Sequence, residues 1–233
     1  MRRFYKRAEA VASESGGFHV TLDGKPVRTP AKLPLVVPSR SLAEAIAEEW
    51  LAQGETVDLR SLELTRLASI ALDLVQPRRS EVIVEVAKYA ATDLVCYRAE
   101  TPAELVQRQQ EAWQPLIDWA TLRFDAPLVV TSSIVPTEQP PATLQALKSA
   151  IAAYDTHRLA ALNFVTAACG SLIVALALIE GRLDAETAFA AAELEQTFEI
   201  KRWGEDPEQT RRRQELLSEI ALAERFARLL ASD

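Results

Sequence analysis

GFHVTLDGKPVRTPAKLPLVVP, residues Gly17 to Pro38, decides the fold class. Phe18, Val20 and Leu22 alternate with His19 and Thr21, the period-two pattern of a half-buried strand. Asp23-Gly24 follows, a pair that supplies the positive backbone φ of a tight hairpin turn. Pro26, Pro30, Pro34 and Pro38 then recur at every fourth position. Each removes a backbone donor, which excludes helix and confines any strand to a sheet edge. The stretch therefore predicts a small sheet with proline-marked edges and turns.

Outward from this unit the grammar becomes helical. Ser41 and Glu44 have capping-box spacing, opening a helix through Ala45, Ile46 and Trp50 that stops near Gly54, a residue suited to a left-handed terminus. Further helical patterns cover Leu62 to Val75 and Glu81 to Tyr97. Thr101-Pro102-Ala103-Glu104 combines a capping box with proline at the first helical position. It leads into a helix carrying Leu105, Trp113, Leu116 and Trp119. Leu128 to Thr131, between Pro127 and Pro136, is a short strand or an extended connector. Pro140 and Pro141 start a helix running toward Tyr154. Leu159 to Ile179 carries no charge and ends before Gly181. Asp184 caps a helix extending to Trp203, and Asp206-Pro207 caps the last one, with Leu216, Leu217, Ile220, Leu222 and Phe226. The expectation is an α+β chain with a small N-terminal β-rich domain over residues 1–60 and a larger C-terminal helical domain over residues 61–233. Only seven glycines in 233 residues fit few tight loops.

Composition narrows the function classes. Hydrophobic content of 48% and charged content of 25% are those of a globular protein. The net charge of −7 argues against a nucleic-acid phosphate tracker. Cys96 and Cys169 lie in apolar helical patterns and read as small packed hydrophobes of a reducing compartment. Met1 to Arg7 is basic but no continuous apolar stretch follows, so no secretory signal is visible. Leu159 to Ile179 is long enough to span a bilayer. Its alanines and its Asn163, Thr166, Gly170 and Ser171 instead indicate a buried central helix. Ala167, Gly170 and Ser171 are expected to face a close neighbour, and no stable membrane insertion is expected.

The usual catalytic equipment is missing. His19 and His157 are the two histidines, and neither has a partner at ligand spacing, so no metal site is expected. No glycine-rich phosphate loop or nucleophile elbow is present, and no cofactor is expected. Arg28 and Arg66 read as structural ion-pair partners. Asp93 sits in an apolar run and, if buried, must be paired, with an arginine such as Arg66 the expected partner. Glu195 and Glu199 are four apart and share a helix face, where like charges repel. Arg202 lies three past Glu199 and is placed to neutralise it, which favours Glu195 as the freer carboxylate. Glu193 beside them is within reach of Lys201 only at longer range. Trp203-Gly204 ends the helix, with Glu205 and Asp206 after it. Such a pair could do acid–base work, meet a basic patch on a partner, or form a solvated helix face.

RFYK at Arg3 to Lys6, the stretch Phe18 to Pro38, LTRLA at Leu64 to Ala68, TDLVCYRA at Thr92 to Ala99 and WGED at Trp203 to Asp206 occur in an order that resembles one family. It is the assembly chaperone of the ATP synthase alpha subunit found in mitochondria and alphaproteobacteria. The resemblance implies a β-rich N-terminal domain followed by a helical domain, and a non-enzymatic function. It implies that the partner is the free alpha subunit, held until the beta subunit replaces it. It further implies that Glu195, Glu199 and Trp203 belong to the partner-binding surface. The short basic N-terminus favours a bacterial cytoplasmic protein, or a processed protein of the mitochondrial matrix. Two competing readings are an enzyme using Glu195 and Glu199 as an acid–base pair, and a membrane-associated adaptor built on Leu159 to Ile179.

Overall fold

The computed structural model describes every residue except Met1, Ser15, Ile134, Pro136, Glu205 and Asp233. Pro136 and Glu205 of the motifs above therefore lie outside the described residues. β2 (Phe18–Leu22) is the hub of a small antiparallel sheet. It pairs with β1 (Ala8–Ala12), β3 (Lys25–Pro26) and β4 (Val36–Val37). Asp23 and Gly24 adopt φ of 48° and 79°, the two successive left-handed residues that a two-residue hairpin requires. Pro26 sits on a strand paired on one side, where its missing donor is harmless. The alternation along β2 is imperfect, because Thr21 is buried as well as Val20 and Leu22. Its hydroxyl is accommodated by donating to the Glu9 carbonyl. β1 escapes a pattern-based reading, since its sequence AEAVA is rich in residues with little strand preference.

Four helix-start expectations hold and two do not. Asp184 accepts from the Thr187 amide at 2.8 Å and caps α8 (Ala185–Ala192). Asp206 accepts from the Glu208 and Gln209 amides and caps α10 (Pro207–Leu230). Pro141 opens α5 (Pro141–Ala152). α2 (Glu63–Ile70) begins at the expected place and continues as a π-turn over Ala71–Val75. The Ser41–Glu44 capping box does not form. α1 (Arg40–Leu51) is capped by Ser39, whose Oγ accepts from the Leu42 amide and donates to the Leu229 carbonyl at 2.6 Å. Glu44 pairs with Arg40 instead. α1 ends at Leu51 with Ala52 right-handed, and Gly54 stays outside the left-handed region. The box at Thr101 also fails: α4 (Ala103–Phe124) has Pro102 at its cap, with no side-chain bond there, and Glu104 pairs with Arg108.

The chain divides into two compact units. One comprises Met1–Arg79, Asp155–Ala161 and Arg225–Asp233; the other comprises Ser80–Tyr154 and Leu162–Glu224. The expected boundary after residue 60 falls inside the first unit, which also includes two segments from later in the chain, and Leu229 of the last of them accepts from Ser39. In that unit two of the family-like blocks, RFYK and LTRLA, meet through Trp50. Tyr5 of RFYK is buried, stacks edge-on against Trp50 and donates its hydroxyl to the Trp50 carbonyl at 2.8 Å. Trp50 Nε1 donates to Thr65 of LTRLA. Glu49 accepts from the Leu64 and Thr65 amides, satisfying two free donors at the start of α2.

In the second unit, the expected helix from Glu81 to Tyr97 is broken. α3 (Arg79–Lys88) gives way to short 3₁₀ turns at Tyr89–Thr92 and Leu94–Cys96, with Asp93 extended between them. Thr131 forms a parallel bridge with Tyr97, so Leu128 to Thr131 is an extended connector touching backbone at one point. α9 (Leu194–Trp203) follows α8 after a break at Glu193, where one continuous helix is expected. Cys96 and Cys169 are buried free thiols, each pushed up to about 12 by burial and by the nearby Asp93 carboxylate.

The uncharged segment is likewise two helices, α6 (Thr156–Cys169) and α7 (Leu172–Ile179). Every residue of α7 is buried. Among the described residues no helix is long and apolar enough to cross a membrane. Gly170 breaks the run with φ of 65°, and Ser171 caps α7 by accepting from the Val174 amide. This corrects the expected packing role of Gly170 and Ala167, which are both exposed, although Ser171 is buried. A Cβ on Gly170 meets nothing within 4 Å. Gly170→Leu is therefore expected to destabilise through left-handed backbone strain, by about 1–2 kcal/mol, and not through overpacking. Gly170→Asn should lose less, since asparagine visits that region more readily. Thermal melting of the two variants checks this; equal losses would point to a packing cause.

Candidate functional site

α9 turns one apolar edge inward and one mixed stripe outward. Leu194 and Phe198 are buried. Arg108 and Arg202 each place a guanidinium 5.4 Å from the Phe198 ring centre. Glu195, Glu199 and Trp203 recur at intervals of four, so they lie along one face, and all three are exposed. Trp203 is 84% exposed, an unusual state for so large a ring. Gly204, with φ of 88°, ends the helix and donates its amide to the Ile200 carbonyl.

The neighbours of this stripe differ from those expected. Arg202 lies over Phe198 and not against Glu199. Glu193 takes neither Lys201 nor solvent as its partner. It accepts from Arg213 of α10 at 2.7 Å, with both side chains largely buried. Arg213 also donates to Thr197 at 3.0 Å and lies 5.0 Å from the Phe189 ring centre. One cation thus ties α8, α9 and α10 together, which a linear reading of charge spacing cannot anticipate.

Glu195 is not the freer carboxylate. Its Oε1 accepts from Gln109 Nε2 of α4 at 2.6 Å. Gln109 is fully buried. Partial desolvation raises the Glu195 carboxyl above its ordinary value; the Gln109 hydrogen bond opposes this and the Glu199 charge adds to it. Gln109 was missed by sequence reasoning, although a signal existed. It shares the buried stripe of α4 with Trp113, Leu116, Ile117 and Ala120 and is the polar member of that set. A buried polar side chain on an apolar stripe needs a partner.

The same helices border a groove of about 580 Å³. Its walls include Ala112, Pro115 and Leu116 of α4 and Ala190 and Ala191 of α8, and α9 contributes Leu194 and Thr197. The Glu195 and Glu199 carboxylates do not line it. The structure therefore brings the three expected residues into one outward stripe and gives the carboxylate pair no share in the groove. Among the described residues no cluster of three or more His, Cys, Asp or Glu is arranged to hold a metal ion.

Residues 2–121 match the family model described as ATP12 chaperone protein. Over 215 residues the chain is 28% identical to the mitochondrial protein atp12 of Schizosaccharomyces pombe, covering 87% of this chain and 74% of that one. Two solved structures from Paracoccus denitrificans are closer. A mutant of its Atp12p is 41% identical and superposes with a TM-score of 0.95, over 98% of this chain and 97% of that one. The crystal structure of Atp12 from the same organism is also 41% identical, with a TM-score of 0.94 and 98% of each chain covered. The structural likeness extends through α9, beyond the stretch matched by the family model. With half of its length matched to that family and nearly all of it superposed on these structures, the chain belongs to the ATP12 chaperone family.

Proposed function

We propose that this protein is an assembly chaperone of the ATP synthase catalytic head that binds the free alpha subunit and protects it from aggregation until the beta subunit takes its place. Family membership carries this reading. An unassembled subunit of an alternating ring exposes a surface meant for its neighbour, and large exposed apolar patches promote wrong association. Covering such a patch keeps the subunit available, and competition by the beta subunit releases it without nucleotide chemistry. The proposed place of action is the compartment where the head is assembled, the cytoplasm of a bacterium or the mitochondrial matrix.

The proposed contact surface includes Glu195, Glu199 and Trp203. An exposed tryptophan with two carboxylates on one helix face has the composition of an interface anchor with a polar surround. In the carboxylate-pair enzyme reading, the acids should line an enclosed space with convergent polar groups. Glu195 and Glu199 are exposed and lie off the groove. Co-expression with the ATP synthase alpha subunit tests the proposal. Soluble alpha subunit is expected to increase and to elute with this protein on gel filtration. Alpha subunit that stays equally insoluble, with no complex eluting, would overturn the assignment.

A further inference from the structure

We propose that Gln109 is a positioning residue for Glu195, holding its carboxylate in the orientation that meets the client; this rests on the function proposed above. The geometry fixes the Gln109 amide in one sense. Its Oε1 accepts from the Ala99 amide at 2.8 Å, so only its NH₂ group is left to face Glu195. Its own backbone carbonyl accepts from Arg98 Nη1. Arg98 in turn lies 5.2 Å from the Trp113 ring centre, and Trp113 Nε1 donates to the Ala191 carbonyl at 2.8 Å. The Arg98 amide donates to the Thr131 carbonyl at 2.8 Å, anchoring the segment from which Ala99 reaches Gln109. The glutamine is thus held from both sides before it touches Glu195.

Packing alone does not call for glutamine here. A buried amide is unfavourable unless its polar atoms are bonded, and a methionine fills nearly the same volume. The two side-chain bonds of Gln109 go to one backbone amide and to one carboxylate that is otherwise exposed. Glu199 has no such anchor among the described residues. A carboxylate with a fixed rotamer loses less conformational freedom when a partner binds. Glu195 therefore enters binding preorganised, and Glu199 does not.

The test is a double-mutant cycle read as affinity for purified alpha subunit, with melting curves alongside. Gln109→Met removes the bond to Glu195 and the acceptor for the Ala99 amide while keeping the volume. Gln109→Ala removes the same bond by truncation, without a methionine side chain to accommodate, and it carries the test if the methionine variant does not fold. Each is expected to weaken binding by about two- to tenfold, the ordering cost of one side chain that is no longer held in place before the partner arrives. Glu195→Ala should do the same, and Gln109→Met combined with Glu195→Ala should bind no more weakly than Glu195→Ala alone. If Glu195→Ala weakens binding and both Gln109 variants bind normally, the positioning role is wrong and the proposed surface stands. If the Gln109→Met loss persists in full in the Glu195→Ala background, Gln109 acts on the fold and the inference falls. If Glu195→Ala binds normally, the stripe itself is not the contact surface, and the positioning role falls with it.

Discussion

Asp93→Ala is expected to lower stability by about 3–5 kcal/mol, the sum of two or more buried donors left unsatisfied and a small cavity. Asp93 is fully buried. Its Oδ1 accepts from the Ser171 hydroxyl at 2.6 Å and from the Val95 amide at 3.3 Å, and its Oδ2 accepts from the Ile173 amide at 3.1 Å. These partners replace the arginine, such as Arg66, that a buried carboxylate suggests from sequence. Ser171 and Ile173 lie at the start of α7, whose free amides need acceptors and whose dipole favours negative charge, while Val95 belongs to the 3₁₀ turn Leu94–Cys96. Because α7 is buried along its whole length, water cannot substitute for the lost carboxylate. Chemical denaturation of Asp93→Ala checks the magnitude; a loss below 1 kcal/mol would mean the α7 terminus finds other acceptors.

The same residue makes stability depend on pH. Burial raises the Asp93 carboxyl from 3.8 to about 6, with the Ser171, Ile173 and Val95 hydrogen bonds opposing the rise. Between those values the folded chain keeps a proton that the unfolded chain has lost. Stability from this group is therefore full below pH 3.8 and declines as pH rises through about 6. At neutral pH the ionised form costs about 3 kcal/mol relative to a protonated one. Asp93→Asn, which cannot ionise, should lack this component. The difference in unfolding free energy between wild type and Asp93→Asn, measured from pH 4 to pH 7, should shift against wild type by that amount. A difference independent of pH would place the Asp93 titration outside this window.

Asp93 also marks where sequence reading ends. Signals that act within four residues were legible: the Asp23-Gly24 turn, the Asp184 and Asp206 caps, the proline-marked sheet edges, and the alternation that founded β2. The requirement that Asp93 be bonded was legible too, but its partners are about eighty positions away in Ser171 and Ile173. Glu193 finds Arg213 and Glu195 finds Gln109 across helices that only the tertiary fold brings together. Ser39 outcompetes Ser41 as a cap while also bonding the distant Leu229 carbonyl. The break at Gly170-Ser171 was hidden because continuous hydrophobicity suits one long buried helix as well as two short ones. For the stripe of α9, spacing alone put Glu195, Glu199 and Trp203 on one face. Spacing could not reveal that one carboxylate is anchored and the other is not.

That asymmetry sets the expected outcome for charge reversal on α9. Glu199→Lys should leave melting nearly unchanged, since an exposed charge contributes about 0–1 kcal/mol. Glu195→Lys should lose about 1 kcal/mol of stability, because it removes the acceptor of a buried amide. Trp203→Ala should not destabilise the fold, because the ring is 84% exposed and buries little area. Binding to the alpha subunit should respond in the opposite proportion. A lysine set against a basic partner surface costs several kcal/mol, and truncating a tryptophan anchor at the centre of an interface about 2 kcal/mol or more. Glu44→Lys is the control. It reverses an exposed charge on α1 that pairs with Arg40, so it should change neither binding nor, beyond a few tenths of a kcal/mol, stability. Affinity for purified alpha subunit and melting of all four variants decide the matter together. Normal binding by Glu195→Lys, Glu199→Lys and Trp203→Ala would remove this face from client recognition. Loss of binding that tracks loss of melting temperature would make α9 a structural element. Loss of binding by Trp203→Ala with melting intact is the outcome that only a contact surface produces, since that side chain does almost nothing else in the folded chain.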